Sequence, residues 1–165
     1  MRVFRIGLAR FLRTRKEAFS GKGGVVSSGR WHTEGHPITY TAQSLSLAAL
    51  EILVHLKETR DVEPFLSYAA DIPDDLILKP NSYPKRWKSR VRVSQAFGDA
   101  WLEAKMAPAL RVPTILAPSE WNVLLNPLHP QFSLSWIQAR PERFAFDARL
   151  PTRKHQKFRA RRRAS

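Results

Sequence analysis

The chain has 165 residues, of which 43% are apolar and five are tryptophan, and its formal charge at pH 7 is +14. This length and composition predict one folded domain with its own core, and they exclude both a disordered chain and two domains of comfortable size. Cysteine is absent, which excludes disulfides, thiolate nucleophiles and cysteine-ligated metals, and no apolar run is long enough for a signal peptide or a membrane span.

The N-terminal part of the chain predicts short strands and turns that precede one strong helix. Residues 2–7 predict a first strand. Residues 20–29 predict a glycine- and serine-rich loop that lacks the residue order of a phosphate-binding P-loop. Residues 38–41 predict a second strand, and Ser44 is a typical N-cap for a helix that runs to about Lys57.

That helix is almost entirely apolar and carries one narrow polar stripe. At 100° per residue the stripe contains Ser44, Glu51, His55 and Glu58. Such a stripe faces either solvent or a cleft, and the periodicity alone favours solvent.

The C-terminal part of the chain mixes strand-like runs with a second helix. Strands are predicted at 62–69, 111–118, 132–138 and 143–148. Residues 94–106 predict a helix that Gly98 weakens. Because strands and helices do not alternate strictly, we predict an α+β fold, a single compact domain with a mixed or antiparallel sheet core and a few helices.

Half of the net charge lies in the last fifteen residues. Residues 151–165 hold seven lysines and arginines and no acid, which leaves +7 for residues 1–150. We therefore predict a folded domain over 1–150 and a basic, disordered tail over 151–165 that contacts a polyanion or only aids solubility. Residues 4–16 are also compatible with a basic helix on a membrane surface, but we expect a cytoplasmic protein without a membrane partner.

Residues 29–51 contain the strongest candidate site. Arg30 lies beside a glycine turn, Tyr40 ends a strand-like run, and Glu51 interrupts the apolar helix. A cation, an aromatic hydroxyl and a carboxylate can together hold an anionic substrate and stabilise a developing positive charge.

Three other chemistries have weaker support. His32 and His36 do not have the spacing of a helical zinc site, so we predict no metal. Residues 85–90, KRWKSR, could form an RNA-binding surface, although Trp87 is more typical of a partly buried residue with solvated neighbours. A serine hydrolase would need a GxSxG elbow, which is missing.

Five segments together resemble the RES-domain family. They are, in chain order, GRW at 29–31, ITYTAQSLSLAALE at 38–51, GDAWL at 98–102, LRVPTILAPSEWNVLLNPLHP at 110–130 and FAFDARL at 144–150. The resemblance covers the body of the chain to residue 150 and leaves out the basic tail.

The resemblance implies the toxin of a bacterial toxin–antitoxin pair, with a fold similar to ADP-ribosyltransferase toxins. It implies an enzyme, an NAD phosphorylase or NAD glycohydrolase, that cleaves the nicotinamide–ribose bond with phosphate or water as acceptor. NAD is then a substrate and inorganic phosphate a co-substrate, with no bound cofactor and no metal. The implied partner is an antitoxin with a helix-turn-helix domain, which forms a hetero-oligomer with the toxin and covers its active site.

The resemblance also assigns roles to single residues. Arg30 and Glu51 match catalytic residues of the family, and Thr114 follows Val-Pro, where the family has a catalytic serine. Ser119 is the alternative hydroxyl. The predicted substrate-binding residues are Arg5, Trp31 and Tyr40.

Arginine suits the pyrophosphate of NAD because its guanidinium can bind two oxygens at once. A carboxylate such as Glu51 would stabilise an oxocarbenium-like ribose or bind its hydroxyls. His32 stands where the family often has asparagine. Two alternatives to the enzyme remain, a basic nucleic-acid-binding α+β module and an inactive RES-like binding protein.

Overall fold

The computed structural model describes residues 1–56, 64–147 and 149–150. The predicted basic tail, the end of the first predicted helix at Lys57 and the stripe residue Glu58 lie outside these residues. None of the helices in the described ranges is long and apolar enough to cross a bilayer.

The described residues form a seven-stranded mixed sheet. The strands are β1 (Arg2–Leu8), β2 (Thr39–Ala42), β3 (Phe65–Asp71), β4 (Ile77–Leu78), β5 (Ala109–Pro113), β6 (Trp121–Leu125) and β7 (Glu142–Phe144). Their spatial order is β4-β5-β6-β2-β1-β3-β7, in which β4 and β5 are parallel and the other neighbours are antiparallel. The predicted α+β class is confirmed.

Four helices pack around this sheet in the described part of the chain. They are α1 (Arg15–Ala18), α2 (Lys22–Val26), α3 (Leu45–Leu53) and α4 (Val91–Glu103). The predicted cap of α3 is confirmed, because the Ser44 hydroxyl accepts the Leu47 N–H at 3.0 Å. This helix ends at Leu53, earlier than predicted.

Four sequence predictions were wrong or incomplete. The strand predicted at 132–138 is absent and Leu134–Trp136 form a 3₁₀ turn, because the Ser133 hydroxyl accepts the backbone N–H of Ser135. The loop predicted at 20–29 contains helix α2. The surface helix considered for 4–16 is divided between the end of strand β1, a 3₁₀ turn at Ala9–Phe11 and the start of α1. Strand β6 was not predicted, although it is a central strand whose last four residues are buried.

One face of the sheet carries two hydrophobic clusters with polar side chains between them. The first contains Trp31, Trp101 and Leu124, and the second contains Ala42 and Leu47. Strand register places Tyr40 opposite Leu124, and Asn122 opposite Ala42, so all four project from the same face. The polar side chains of Tyr40 and Asn122 therefore lie where the two clusters meet.

Strands β1 and β2 pair at a single position, Phe4 with Ala42, whereas β1 and β3 pair over seven residues. Next to that pair, Arg5 Nη1 donates to the backbone carbonyl of Tyr40 at 3.0 Å. A side chain thus replaces a ladder hydrogen bond, and the sheet is open along the seam between β1 and β2.

Helix α4 lies directly against the backbone of Trp31. A Cβ at Gly98 would be 1.8 Å from the Trp31 carbonyl oxygen, which no side chain can tolerate. The glycine that weakens the helix in sequence terms is therefore the residue that permits this close approach. The next residue, Asp99, accepts hydrogen bonds from the Thr33 N–H and hydroxyl at 2.9 and 2.8 Å.

Substituting Gly98 with alanine should destabilise the fold by about 2–3 kcal/mol or more, since overpacking forces the backbone of residue 31 away from α4. Thermal and denaturant unfolding measure this change. Gly23→Ala is the matched control, because a Cβ there meets nothing within 4 Å and alanine favours a helix by about 0.5–1 kcal/mol. Equal stabilities for the two variants would contradict the proposed role of Gly98.

Candidate functional site

A cleft of about 720 Å³ lies beside the seam between β1 and β2, each of which contributes one residue to its wall. This volume is within the range of small-molecule sites, about 300–1,000 Å³. All six residues predicted for the site line it: Arg5, Arg30, Trp31, Tyr40, Glu51 and Thr114. They come from β1, β2, α3, the segment before β2 and the residue that follows β5.

Arg30 lies at the tip of a tight turn. The turn is closed by the Gly29 N–H, which donates to the His32 carbonyl at 3.1 Å, and it is bound to α4 by Gln95, whose side-chain amide donates to the Gly29 carbonyl at 3.0 Å. Arg30 Nη1 donates to the carbonyls of Trp87 and Lys88 at 3.3 and 3.4 Å. Backbone oxygens orient this guanidinium without neutralising it.

The Tyr40 hydroxyl holds the same turn from below. It accepts the Trp31 N–H at 3.1 Å and lies 2.9 Å from His32 Nδ1. His32 Nε2 lies 3.0 Å from the Ser27 carbonyl, which can only accept, so Nε2 carries the proton and Nδ1 accepts from Tyr40. A Cβ at Gly29 would be 2.6 Å from this hydroxyl, which explains the glycine of the GRW segment.

Burial affects both members of this pair. It raises the pKa of the Tyr40 hydroxyl well above its ordinary range and lowers the pKa of His32. Tyr40 is therefore a neutral hydrogen-bonding group at neutral pH, and its donated hydrogen bond is directed to His32 rather than into the cleft.

The Trp31 indole belongs to the core. Its residue is 1% exposed, and the ring stacks on Trp87 with centroids 5.3 Å apart and meets the edge of Phe97 at 6.1 Å. The sequence predicts that Trp31 is a substrate-binding residue. In this arrangement the residue instead supports the wall of the cleft and presents Arg30 beside it.

Arg5 places a second cation on the cleft wall. Burial lowers the pKa of its guanidinium to about 10, so it stays charged at neutral pH. Its Nε is buried without a hydrogen-bond partner, and within the described residues neither Arg5 nor Arg30 has a carboxylate in ion-pair distance. The cleft thus offers two cations that the described chain leaves unpaired.

Glu51 forms the acidic side of the cleft. Its Oε1 accepts hydrogen bonds from Thr114 Oγ1 at 2.8 Å and from Asn122 Nδ2 at 2.7 Å. The Thr114 oxygen in turn accepts the Leu116 N–H at 3.1 Å. Thr114 is 5% exposed, and its hydroxyl is directed to Glu51.

Sequence reasoning missed Asn122, which lies on the strand that it also missed. The available signal was an asparagine in the apolar run WNVLL, since a polar residue in a buried strand needs a partner. Ser119, the alternative hydroxyl, is exposed and does not line the cleft.

The two histidines and the KRWKSR segment make ordinary structural contacts. His32 bonds to Tyr40 and Ser27, while His36 lies 3.5 Å from Asp99 and 3.4 Å from Glu103. In the described part of the chain no group of three or more His, Asp or Glu is arranged to hold a metal ion. Trp87 is partly buried and the cations beside it are exposed, as predicted for residues 85–90.

The fold and the cleft define a single-domain α+β protein. Its ligand-sized cleft is lined by a tightly held glutamate and by two arginines that have no ion-pair partner in the described residues. The RES domain model matches residues 2–147. The chain therefore belongs to the RES domain family.

Several proteins that resemble the chain are named as toxins. Toxin Res of Yersinia enterocolitica is 36% identical over 154 residues, which are 91% of this chain and 99% of that protein. Toxin Res of Pseudomonas putida is 36% identical over 141 residues, 79% of this chain and 91% of that protein. The Prs ADP-ribosylating toxin of a Sphingobium species is 35% identical over 141 residues, 79% and 85% of the two chains.

A solved structure supports the same fold. A chain of the MbcT–MbcA toxin–antitoxin complex of M. tuberculosis superposes with a TM-score of 0.66 over 87% of this chain and 84% of its own. Its sequence identity is 17%, so this likeness concerns the fold alone.

We expect stability to fall as the pH drops below 6.5, the ordinary pKa of histidine. Burial lowers the pKa of His32 in the folded chain, so the unfolded chain binds this proton at a higher pH. The stability that this neutral histidine contributes above pH 6.5 is therefore lost as the pH falls towards the pKa of His32 in the folded chain. Melting temperatures between pH 7.5 and 5.5 should fall less steeply in His32→Asn than in the unsubstituted protein. His55→Asn, at an exposed position, is the control and should keep the dependence of melting temperature on pH that the unsubstituted protein shows. The same dependence in all three proteins would exclude His32 as the titrating group.

Proposed function

We propose that the protein is the toxin of a toxin–antitoxin pair and that it degrades NAD by cleaving the nicotinamide–ribose bond. The observation that carries this proposal is the cleft, which brings six residues predicted from the sequence, among them two arginines and a glutamate, into one site. The names of the relatives support a toxin, and one of them is an ADP-ribosylating toxin.

The charged side chains of the cleft suit two parts of NAD, the pyrophosphate and the ribose that loses nicotinamide. The pyrophosphate of NAD carries negative charge, which Arg5 and Arg30 would bind through guanidinium groups that have no acidic partner in the described chain. Loss of nicotinamide leaves positive charge on the ribose, which the Glu51 carboxylate would stabilise. These charges have opposite signs, as do the groups proposed to meet them.

The reaction breaks the bond between ribose C1′ and the nicotinamide nitrogen, and nicotinamide leaves with that electron pair. With water as acceptor the other products are ADP-ribose and a proton. With inorganic phosphate as acceptor the product is ADP-ribose phosphorylated at C1′. The chain would take NAD as substrate, with phosphate as a co-substrate in the second case.

The purified full-length protein, free of any partner, should release nicotinamide from NAD, as measured by chromatography. Assays with and without phosphate, followed by mass spectrometry of the ribose product, separate the two acceptors. A folded protein that leaves NAD intact under both conditions would overturn the proposal. Salt-sensitive RNA or DNA binding by that inactive protein would instead support the nucleic-acid-binding alternative.

Glu51→Gln should lower NAD turnover by at least about 10³-fold, because the amide keeps the shape and accepts the same hydrogen bonds but lacks the charge. Glu120→Gln is the matched control. That glutamate accepts a hydrogen bond from the Ser44 hydroxyl at 2.5 Å and does not line the cleft. Activity retained by the Glu51 variant, or lost equally in both, would move the catalytic carboxylate elsewhere.

We further propose an antitoxin with a helix-turn-helix domain as the partner, in a hetero-oligomer that blocks the cleft. The toxin–antitoxin complex that contains the structural neighbour supports an antitoxin as the partner. Co-expression with the product of the adjacent reading frame should restore growth and abolish NAD loss.

A further inference from the structure

Asn122 belongs to the site through its contact with Glu51. The asparagine is 8% exposed and lies on β6, one strand from the seam, where it lines the cleft. Its Nδ2 donates to Glu51 Oε1 at 2.7 Å. The orientation of this amide follows from chemistry, because a carboxylate can only accept a hydrogen bond from Nδ2 and would repel Oδ1.

A second buried asparagine, Asn126, directly follows strand β6 and has the contacts expected of a purely structural residue. Asn126 is 3% exposed, and both ends of its side chain are satisfied: Nδ2 donates to the Leu102 carbonyl at 3.5 Å and Oδ1 accepts the Leu128 N–H at 3.0 Å. Asn126 thus joins two segments of backbone and does not line the cleft.

Asn122 is buried like Asn126 but differs from it in its hydrogen bonds and in its position at the cleft. Its side chain makes one hydrogen bond in the described chain, to Glu51, and its Oδ1 is buried without a partner. An unpartnered buried acceptor disfavours folding, so this side chain contributes little to the stability of the strand. The hydrogen bond to Glu51 is therefore the main consequence of placing a buried asparagine at position 122.

The two donors converge on one oxygen of the carboxylate. Thr114 and Asn122 both bond to Oε1, and no hydrogen bond to Oε2 occurs within the described residues. Holding one oxygen from two directions sets the rotation of the carboxylate about its terminal bond, which is otherwise soft. Oε2 is left to meet a ligand at a defined position.

We propose that Asn122 is a positioning residue that, together with Thr114, orients the Glu51 carboxylate so that Oε2 faces the ribose. This inference rests on the proposed function, because it assigns Glu51 the ribose as its target. A misplaced catalytic group lowers the rate of the chemical step by about 10²-fold without weakening substrate binding, so the proposal concerns kcat rather than KM.

Asn122→Ala should lower kcat for NAD by about 10- to 100-fold with KM changed less than about twofold. Thr114→Val, which removes the hydroxyl and keeps the branched shape, should show the same pattern, and Thr114→Ser, which keeps the hydroxyl, should lose much less of kcat than Thr114→Val. The double variant should lose less than the product of the two single losses, because both donors act on one oxygen. A rise in KM with unchanged kcat would make Asn122 a substrate-binding residue and overturn the proposal.

Thermal stability separates this role from a structural one. Asn126→Ala is the matched control. It should lower the melting temperature by about 4 °C or more, because it leaves two backbone groups without their hydrogen-bond partner. It should leave kcat unchanged, because Asn126 does not line the cleft. Asn122→Ala should lower the melting temperature by less than about 2 °C. The reverse order, with activity following stability, would contradict a positioning role.

A further measurement does not depend on NAD turnover or on a change at position 122. The side-chain amide of Asn122, followed by ¹⁵N NMR, should shift in Glu51→Gln, and that of Asn126 should not. An unchanged Asn122 signal would overturn the inference while leaving the proposed function standing. If the Asn122 signal shifts in Glu51→Gln but the unsubstituted protein does not consume NAD, the contact is retained and the proposed function is rejected.

Discussion

The contact between Gly98 and the Trp31 backbone is the constraint on which the site depends. Because α4 has no side chain at this point, the turn of residues 29–32 lies against the helix, where Gln95 bonds to its carbonyl and Asp99 bonds to the segment that follows. The Trp31 ring is then buried on Trp87, and Arg30 lies at the edge of the cleft. The Tyr40 hydroxyl holds the same turn from the sheet, through Trp31 and through His32. The turn is thus fixed between a helix and a strand, and the position of Arg30 follows from both.

The open seam between β1 and β2 borders the cleft, which Arg5 and Tyr40 line from the two strands. In a continuous sheet the backbone groups of β1 and β2 would hydrogen-bond to each other. Here the Arg5 guanidinium instead donates a hydrogen bond to the Tyr40 carbonyl. The same contact places the half-buried Arg5 guanidinium in the wall of the cleft. Helix α3 presents Glu51, which also lines the cleft, to donors from the β5–β6 region. The opened strand pair therefore contributes a cation to the cleft in which Glu51 supplies the carboxylate.

Much of the site was predictable because the residues that form it are unusual where they stand. Glu51 interrupts an apolar helix, Arg30 follows a glycine turn, and Thr114 follows Val-Pro in a β-branched run. Periodicity still favoured a solvated stripe for Glu51, since a helical wheel cannot distinguish solvent from a polar cleft. Strand β6 was missed, and Asn122 with it, because a short apolar run between two turns has no periodicity that distinguishes it from a buried coil. The strand predicted at 132–138 fails for a local reason, the serine cap of its 3₁₀ turn.

The amino-acid sequence by itself determined the α+β class, the cap of α3, the family and the residue types of the site, because these follow from local pattern and from ordered segments along the chain. Only the tertiary structure decided how those residues act on one another. It buried the Trp31 ring, directed the Tyr40 hydroxyl to His32, and placed Thr114 and Asn122 on one oxygen of Glu51. The physical reason is distance along the chain: Glu51 and its two donors are 63 and 71 residues apart, and no local preference specifies which atoms meet across such separations.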